Sequence, residues 1–567
     1  MKSLAFPTSA RLALALNLFA CGPLGLLSLA PLTAQAQPAA EANRPAESAE
    51  PRFPILEFEV EGNTVLSALA IEKVLLPFMG ESRQMADVEG ARAALEKRYQ
   101  EAGYLTVFVD VPEQRVDEGL ILLRVTEGRV ELLRVTGSRY YDQGMIRERV
   151  AQLAPGTVPD FNEVQRQLAS LSRAERQVQP VLRPGLVPGT VEAELKVSDQ
   201  LPMSATFELN NRHAANTEPW RASLNLRYDN LWQRDHGLSL SYITAPKAPE
   251  QSKVLVANYT APLSASDTLL LSVVLSDSLV EPLGAGKVIG KGSTWGARWL
   301  RSVGRADELH SFSLGADYKN VKEDQASLST PLKYLPFQLG YTGNWFGNRS
   351  QITLNTSLVF AVRSLLQRDI DCLGNSGKVD QFQCKRDGAD GGFAYWRGEL
   401  RDNRPLAAWV GSEASLGSLS SRVGWQLATQ PLVSGEQFSI GGADTVRGFL
   451  EAEASGDSAL LASLEWRSAN LLNLASPASG SDRDAGTRLG FWRELSLLAF
   501  LDAARVQTLQ PLPEQSSATR LLGTGLGLRL RTAPNLSTEF DLAWPLKSTA
   551  FSRKGEPRVH VRLSAQI

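Results

Sequence analysis

From about Leu201 to Ile567 the chain loses helical periodicity and alternates polar with apolar residues. Roughly sixteen segments of about nine to twelve residues follow one another, separated by Gly, Pro, Asn or Asp. A period of two places every second side chain on the same face of a strand. Between Arg221 and Tyr228, the residues Ala222, Leu224, Leu226 and Tyr228 share a face opposite Ser223, Asn225 and Arg227. Leu526, Leu528 and Leu530 likewise oppose Gly525, Gly527 and Arg529, and Phe540, Leu542 and Trp544 oppose Glu539, Asp541 and Ala543. A large soluble sandwich or propeller would bury the apolar face against more sheet. Here the other face carries charge in many strands, and Tyr228, Trp232, Tyr242, Tyr259 and Trp544 fall near strand ends. That distribution suits a transmembrane antiparallel β-barrel of about sixteen strands over 200–567, with lipid outside and a wet lumen. Lipid leaves no partner for a free strand edge, so the sheet must close.

The start of the chain agrees with export from the cytoplasm. Lys2 and Arg11 supply positive charge, Leu12 to Leu32 is apolar, and Ala34-Gln35-Ala36 is a small-residue cleavage site, so 1–36 reads as a signal peptide. Pro23 and Pro31 interrupt the run and argue against a spanning anchor, and Phe19 suits a lipoprotein site at Cys21 poorly. Residues 37–50 are Ala, Pro, Glu and Asn, a flexible linker with little to bury. Formal net charge is −2, becoming −4 once Lys2 and Arg11 leave, which excludes a nucleic-acid binder reliant on a basic face. With Cys21 removed, Cys372 and Cys384 remain; in an oxidising compartment two cysteines so close in sequence are expected to close one loop as a disulfide. That loop is expected outside the barrel and of little consequence for transport. The four histidines stand away from these cysteines, so no metal site is expected. Nucleophile elbows, zinc-binding helices and phosphate-cradling loops do not occur, so neither catalysis, a cofactor nor a nucleotide is expected.

Between the linker and the barrel lies a pattern that repeats. Strand Ile55 to Val60 ends in Glu61-Gly62-Asn63. A helix with Asp87 as N-cap then aligns Val88, Ala91, Leu95 and Tyr99, and strands Leu105 to Val111 and Leu120 to Val125 follow. The second pass has strand Leu132 to Val135, the turn Thr136-Gly137-Ser138, and a helix face of Val164, Leu168 and Leu171. Strands around Val181-Leu182 and Val191 to Val197 close it. Gly62 and Gly137 lie 75 residues apart, marking two copies of a small α+β module, 51–128 and 129–199. Glu61-Gly62-Asn63, Gly103-Tyr104 and Val125-Thr126-Glu127-Gly128 resemble POTRA domains, periplasmic modules that hold unfolded substrates.

One stretch within the barrel breaks the alternation. Glu436-Gln437-Phe438, Gly441, Gly442 and Val446-Arg447-Gly448-Phe449 form a glycine-rich loop over 434–454, folded inward. Downstream, Ser496, Leu498, Phe500, Asp502 and Ala504 share one face of a strand, and Leu497, Ala499, Leu501 and Ala503 the other, apolar one. Asp502 is the natural inward partner for the Arg447 guanidinium. The combination resembles the two-partner secretion transporters of the outer membrane, and further likeness lies in Asn230-Leu231-Trp232, Gly237 to Tyr242, Tyr259 to Leu263 and Gly456-Asp457. The resemblance implies a Gram-negative outer-membrane location with the POTRA domains in the periplasm. The partner it implies is one large secreted exoprotein of adhesin or haemolysin type. Arg447 and Asp502, with Phe500 beside them, would be a conformational lock on a loop between strands eleven and twelve, and the first POTRA domain would capture the partner.

Three features depart from that family. The segment 37–50 is short and poor in apolar residues, so no N-terminal plug helix is expected; Ala504 stands where glycine is usual; and the chain ends Ala565-Gln566-Ile567 instead of in an aromatic residue. The competing reading is a general outer-membrane protein assembly factor of the same superfamily, which would share the modules, barrel and arginine loop.

Overall fold

The computed structural model describes residues 52–567 except 117, 279–289, 306, 326–327, 348–349, 373–376, 407–415, 473–490, 514 and 533–534. The expected signal peptide, 1–36, and linker, 37–50, lie outside the described residues.

Each module is a three-stranded sheet with helices packed on one face. In the first, Glu57–Glu61 runs parallel to Leu120–Glu127, which pairs antiparallel with Val107–Asp110. In the second, Arg129–Thr136 runs parallel to Thr190–Asp199, which pairs antiparallel with Arg176–Pro184. The repeat has a steric cause. Gly62 and Gly137 have φ of +88° and +83°, and a Cβ at either would lie 2.2 Å from Val125 O or 2.3 Å from Val197 O. Only glycine tolerates both the left-handed backbone and the approach of the neighbouring strand. Val88, Ala91, Leu95 and Tyr99 are buried on helix Met85–Glu101, and Val164, Leu168 and Leu171 on helix Phe161–Leu171.

The first long helix begins earlier than expected. Gln84 is its N-cap, and Asp87 sits at the third position, accepting the Gln84 N–H at 2.9 Å. An acidic residue completing a capping box three positions in resembles an N-cap in sequence, which explains the displaced boundary. Two short helices, Ala68–Leu75 and Gln143–Glu148, span eight and six residues and are too short for a periodic pattern to register.

Among the described residues sixteen antiparallel strands close into a barrel, from Met203–Asn210 to Arg558–Gln566, with 328–346 counted as one strand interrupted at Leu335. Closure is made by Asn210 to Thr206 against Arg562 to Gln566. The alternation has its expected result: Leu224, Leu226, Leu240, Leu255, Leu271, Leu501 and Leu526 are exposed on the outer wall. A sheet without edges and with an apolar exterior is what a bilayer permits.

The second module docks on the barrel through one buried carboxylate. Strands Arg221–Leu231 and His236–Thr244 are joined by a turn in which Trp232, Gln233 and Asp235 take φ of +61°, +56° and +59°. Such a conformation is costly for residues other than glycine and persists where surrounding contacts fix it. Here the Asp235 side chain is fully buried, with Arg176 Nη1 at 2.9 Å, Arg176 Nη2 at 3.0 Å and Arg149 Nη1 at 2.9 Å. The Arg176 guanidinium also lies 4.4 Å from the Tyr141 ring centroid. Burial pushes the Tyr141 hydroxyl up to about 12, which keeps it neutral beside this cluster. Asn230 Nδ2 donates to Tyr140 O at 3.0 Å, and Asp142 N donates to Gln233 Oε1 at 3.0 Å.

Asp235→Ala would leave the fully buried Arg176 without its carboxylate, a loss of about 3–5 kcal/mol. The expected result is a normally inserted barrel whose second module exchanges amide hydrogens faster around Tyr140 and Arg176. Unchanged exchange there would contradict the anchoring role.

Candidate functional site

The eleventh barrel strand, Ser418–Ala428, and the twelfth, Ser458–Arg467, are joined at the end away from the modules. Their connection folds back into the lumen. Phe438–Ile440 pairs with Ala454–Gly456 to form a short stem, and Val446 to Phe449 forms the tip. Val446 and Phe449 are fully buried, packed in one cluster with Ile440, Leu461, Ala504, Val506 and Leu521 of the stem and wall. Gly441, Gly442 and Gly448 have φ of +103°, +100° and +95°, which lets the backbone reverse within the confined lumen.

At the tip, Arg447 meets the thirteenth strand, Trp492–Gln507. Its Nε lies 2.7 Å from Asp502 Oδ2 and its Nη2 3.0 Å from Asp502 Oδ1, while its backbone N–H donates to Asp502 Oδ2 at 3.2 Å. The guanidinium sits 3.4 Å from the Phe500 ring centroid. Ser496, Leu498, Phe500, Asp502 and Ala504 are all buried on the inner face of that strand. The sequence-derived residues are thus brought together in one bidentate ion pair capped by an aromatic face, the strong form of such a contact.

Several partners in this cluster have no local sequence signal. Arg447 Nη1 also reaches Glu465 Oε2 at 2.7 Å, Ser463 Oγ donates to Asp502 Oδ1 at 2.6 Å, and Gly448 N–H donates to His560 Nε2 at 3.1 Å. Arg529 is held by Asp541 at 2.6 and 3.0 Å just beyond. The fourteenth strand, Ala518–Thr532, supplies space. A Cβ on Gly523 would lie 2.0 Å from Arg447 O, and one on Gly525 would lie 2.4 Å from Phe500 Cζ. Gly523 and Gly525 thus leave a slot for the loop.

The loop's root is pinned as firmly as its tip. Glu436 is buried and takes Lys319 Nζ at 2.5 Å, Tyr334 Oη at 2.6 Å and Tyr395 Oη at 2.7 Å. Asp457, fully buried, accepts from Arg386 Nη2 at 2.7 Å, Leu432 N at 2.9 Å and Leu509 N at 2.7 Å. Arg386 caps the short helix Gln381–Lys385, which carries Cys384, and Cys384 is disulfide-bonded to Cys372. Phe382 and Phe393 from the same connection pack with Tyr334, Leu432 and Val433. The disulfide-bearing loop, which joins strands Gln351–Ala361 and Ala394–Pro405 at the same outer end of the barrel, is therefore also a brace on the inward loop. Two cysteines reveal a closed loop, but not what an arginine two residues later will hold.

The likeness to known proteins follows this geometry. Residues 189–530 match the family model described as haemolysin secretion/activation protein ShlB/FhaC/HecB, which is more than half of the chain. The chain belongs to this family. Residues 53–128 match the POTRA domain, ShlB-type. The protein is accordingly an outer-membrane β-barrel of the two-partner secretion type with N-terminal POTRA domains. The outer membrane transporter CdiB of Escherichia coli O6:K15:H31 (strain 536 / UPEC) is 22% identical over 202 residues, 35% of this chain; the matched stretch spans 33% of that relative's length. Among solved structures, CdiB from Escherichia coli aligns with a TM-score of 0.62 at 17% identity, covering 93% of this chain and 92% of that one. CdiB from Acinetobacter baumannii aligns at 0.56 and 15%, covering 92% and 91%. BamA from Haemophilus ducreyi lacking POTRA domains 1–3 aligns at 0.51 and 14%, covering 91% and 100%. At these identities the structural likeness is one of fold.

Gly523→Val would drive a side chain into the Arg447 carbonyl and expel the tip from its slot. The barrel should still insert and migrate as a heat-modifiable species, with single-channel conductance in planar bilayers raised above that of the parent. Equal conductance would show that the tip does not depend on the slot.

Proposed function

We propose that this transporter captures one large exoprotein in the periplasm through its POTRA domains and exports it through the barrel without nucleotide hydrolysis. The observation that carries the reading is the Arg447–Asp502 pair. A passive pore has no need of a loop folded into its lumen and held by a desolvated, bidentate contact. A protein exporter must keep a wide barrel closed at rest and open it for a chain, and a pinned loop satisfies both demands. In this reading Arg447 and Asp502 form the conformational lock, Phe500 covers it, and Gly441, Gly442 and Gly448 provide the backbone freedom to release it. The exoprotein is of adhesin or haemolysin type, in keeping with the family. Folding of the emerging chain outside the cell supplies the direction, since a folded segment cannot return.

Capture in the periplasm is supported by the free strand edges of the first module. Its sheet ends at Glu57–Glu61 on one side and Val107–Asp110 on the other, with Phe108 exposed on the latter. An extended segment adding to such an edge gains backbone hydrogen bonds without requiring a folded partner.

Quantitative mass spectrometry of culture supernatant and outer membrane from a strain lacking this gene tests the reading. Loss of one very large secreted protein, with other barrels unchanged, is expected. Broad depletion of outer-membrane proteins would instead establish an assembly factor. Arg447→Ala should abolish most secretion of that protein while barrel insertion stays near the parent level; full secretion from the inserted variant would remove the lock from the mechanism.

A further inference from the structure

The wall that seats the loop carries two arginines on its lipid side. On the thirteenth and fourteenth strands the outward pairs are Leu495 with Leu530, Leu497 with Leu528, Ala499 with Leu526, Leu501 with Thr524 and Ala503 with Leu522. The exposed side chains of Leu497, Leu501 and Leu526 mark this as the outer face. Leu495 to Ala503 and Leu522 to Leu530 are each nine residues long, the length with which a tilted strand crosses the hydrocarbon core. The next outward pair, at the end away from the modules, is Arg505 with Arg520, and both residues are exposed. The two guanidiniums therefore stand at the outer border of the apolar band.

Like charges directly opposite each other on a sheet repel. Among the described residues neither Arg505 nor Arg520 has an ion pair or a side-chain hydrogen bond to offset this. Elsewhere the borders of the band are paired within the chain. On the fifth and sixth strands, Asp267–Ser278 and Gly290–Gly304, Arg301 stands opposite Asp267 at 4.0 Å on the module side, and Lys291 opposite Asp277 at 3.7 Å on the outer side. On the inner wall Arg447, Arg529 and Arg562 each hold a carboxylate. The Arg505–Arg520 rung departs from that rule. Leu460, opposite Arg505 on the twelfth strand, is exposed beside it.

We infer that Arg505 and Arg520 form a lipid site, which holds the phosphate head group of a lipid in the outer leaflet of the outer membrane. Each guanidinium presents a planar fork of donors that matches phosphate oxygens in pairs. A phosphate between the two forks replaces their mutual repulsion with charge-assisted hydrogen bonds. The acyl chains then lie on the apolar wall, where Leu460, Leu501 and Leu526 are exposed. A free anion would use the arginines alone; a lipid uses both the arginines and the wall beneath them, which is why the occupant is a lipid. The site also backs onto the loop. Ala504, Val506 and Leu521, the inward neighbours of the two arginines, pack with Ile440, Val446 and Phe449. A head group bridging the two strands therefore clamps the part of the wall on which the loop rests.

The test uses the full-length transporter, purified in detergent and stripped of lipid, with native mass spectrometry as the readout. The probes are diphosphoryl lipid A, the same lipid with both phosphates removed, and inorganic phosphate. The parent should retain one more diphosphoryl lipid A than the Arg505→Gln/Arg520→Gln variant, which should bind that copy at least about tenfold more weakly for want of charge-assisted bonds. The dephosphorylated lipid should not distinguish parent from variant. Equal retention of diphosphoryl lipid A by both proteins would overturn the inference, and so would a difference that persists without the phosphates. Inorganic phosphate that lipid A fails to displace would overturn the lipid as occupant. Heat-modifiable migration verifies the fold of the variant, and should the double change prevent folding, Arg520→Gln alone gives the same comparison. Diphosphoryl lipid A should also raise the temperature at which the parent barrel unfolds, with a smaller rise in the variant. An equal rise in both would likewise overturn the site.

Discussion

A bidentate ion pair buried in the lumen organises the rest of the barrel. Removing Arg447 and Asp502 from water is expensive, and the cost is recovered only because each remaining donor and acceptor finds a partner. Asp502 takes both Arg447 nitrogens, the Arg447 amide and the Ser463 hydroxyl, while the second edge of the guanidinium takes Glu465. Such a contact is firm when complete and costly when half-made, so it has two states and few between. A closure built on apolar packing alone would yield gradually. In the proposed mechanism, one built on this pair stays shut until something competes for the whole set.

The pair works only on a rigid background. Its position on the wall is fixed by strand register, its space by Gly523 and Gly525, and its approach by the root contacts of Glu436 and Asp457. Because the root is braced through Arg386 to the disulfide-bearing connection, movement of the tip need not loosen the stem. At the other end of the barrel, Asp235 holds the second module by the same chemistry, two arginines on one buried carboxylate. The second module is thereby held at a fixed orientation to the barrel.

Much of this was legible in the sequence, for physical reasons. A lipid-facing strand must alternate, so sixteen strands and the inner face of Phe500 and Asp502 follow from a period of two. Arg447 stood out because a glycine-rich string interrupts that alternation. His560, Glu465 and Gly523 gave no such signal: each is an ordinary inward residue in its own strand, made special by register with strands far away in sequence. Asp235 was hidden in a turn whose backbone strain no composition reveals. Asp87 misled in the opposite direction, since a residue completing a capping box and a residue starting a helix are of the same type.

A double-mutant cycle on export tests the central claim most directly. Secretion would be measured for the parent, Arg447→Ala, Asp502→Ala and the double variant, each normalised to the amount of inserted barrel. If the two residues act as one lock, the double variant should secrete no less than either single variant. Defects that multiply in the double variant would show that Arg447 and Asp502 act separately, and the account of a single two-state closure would fail.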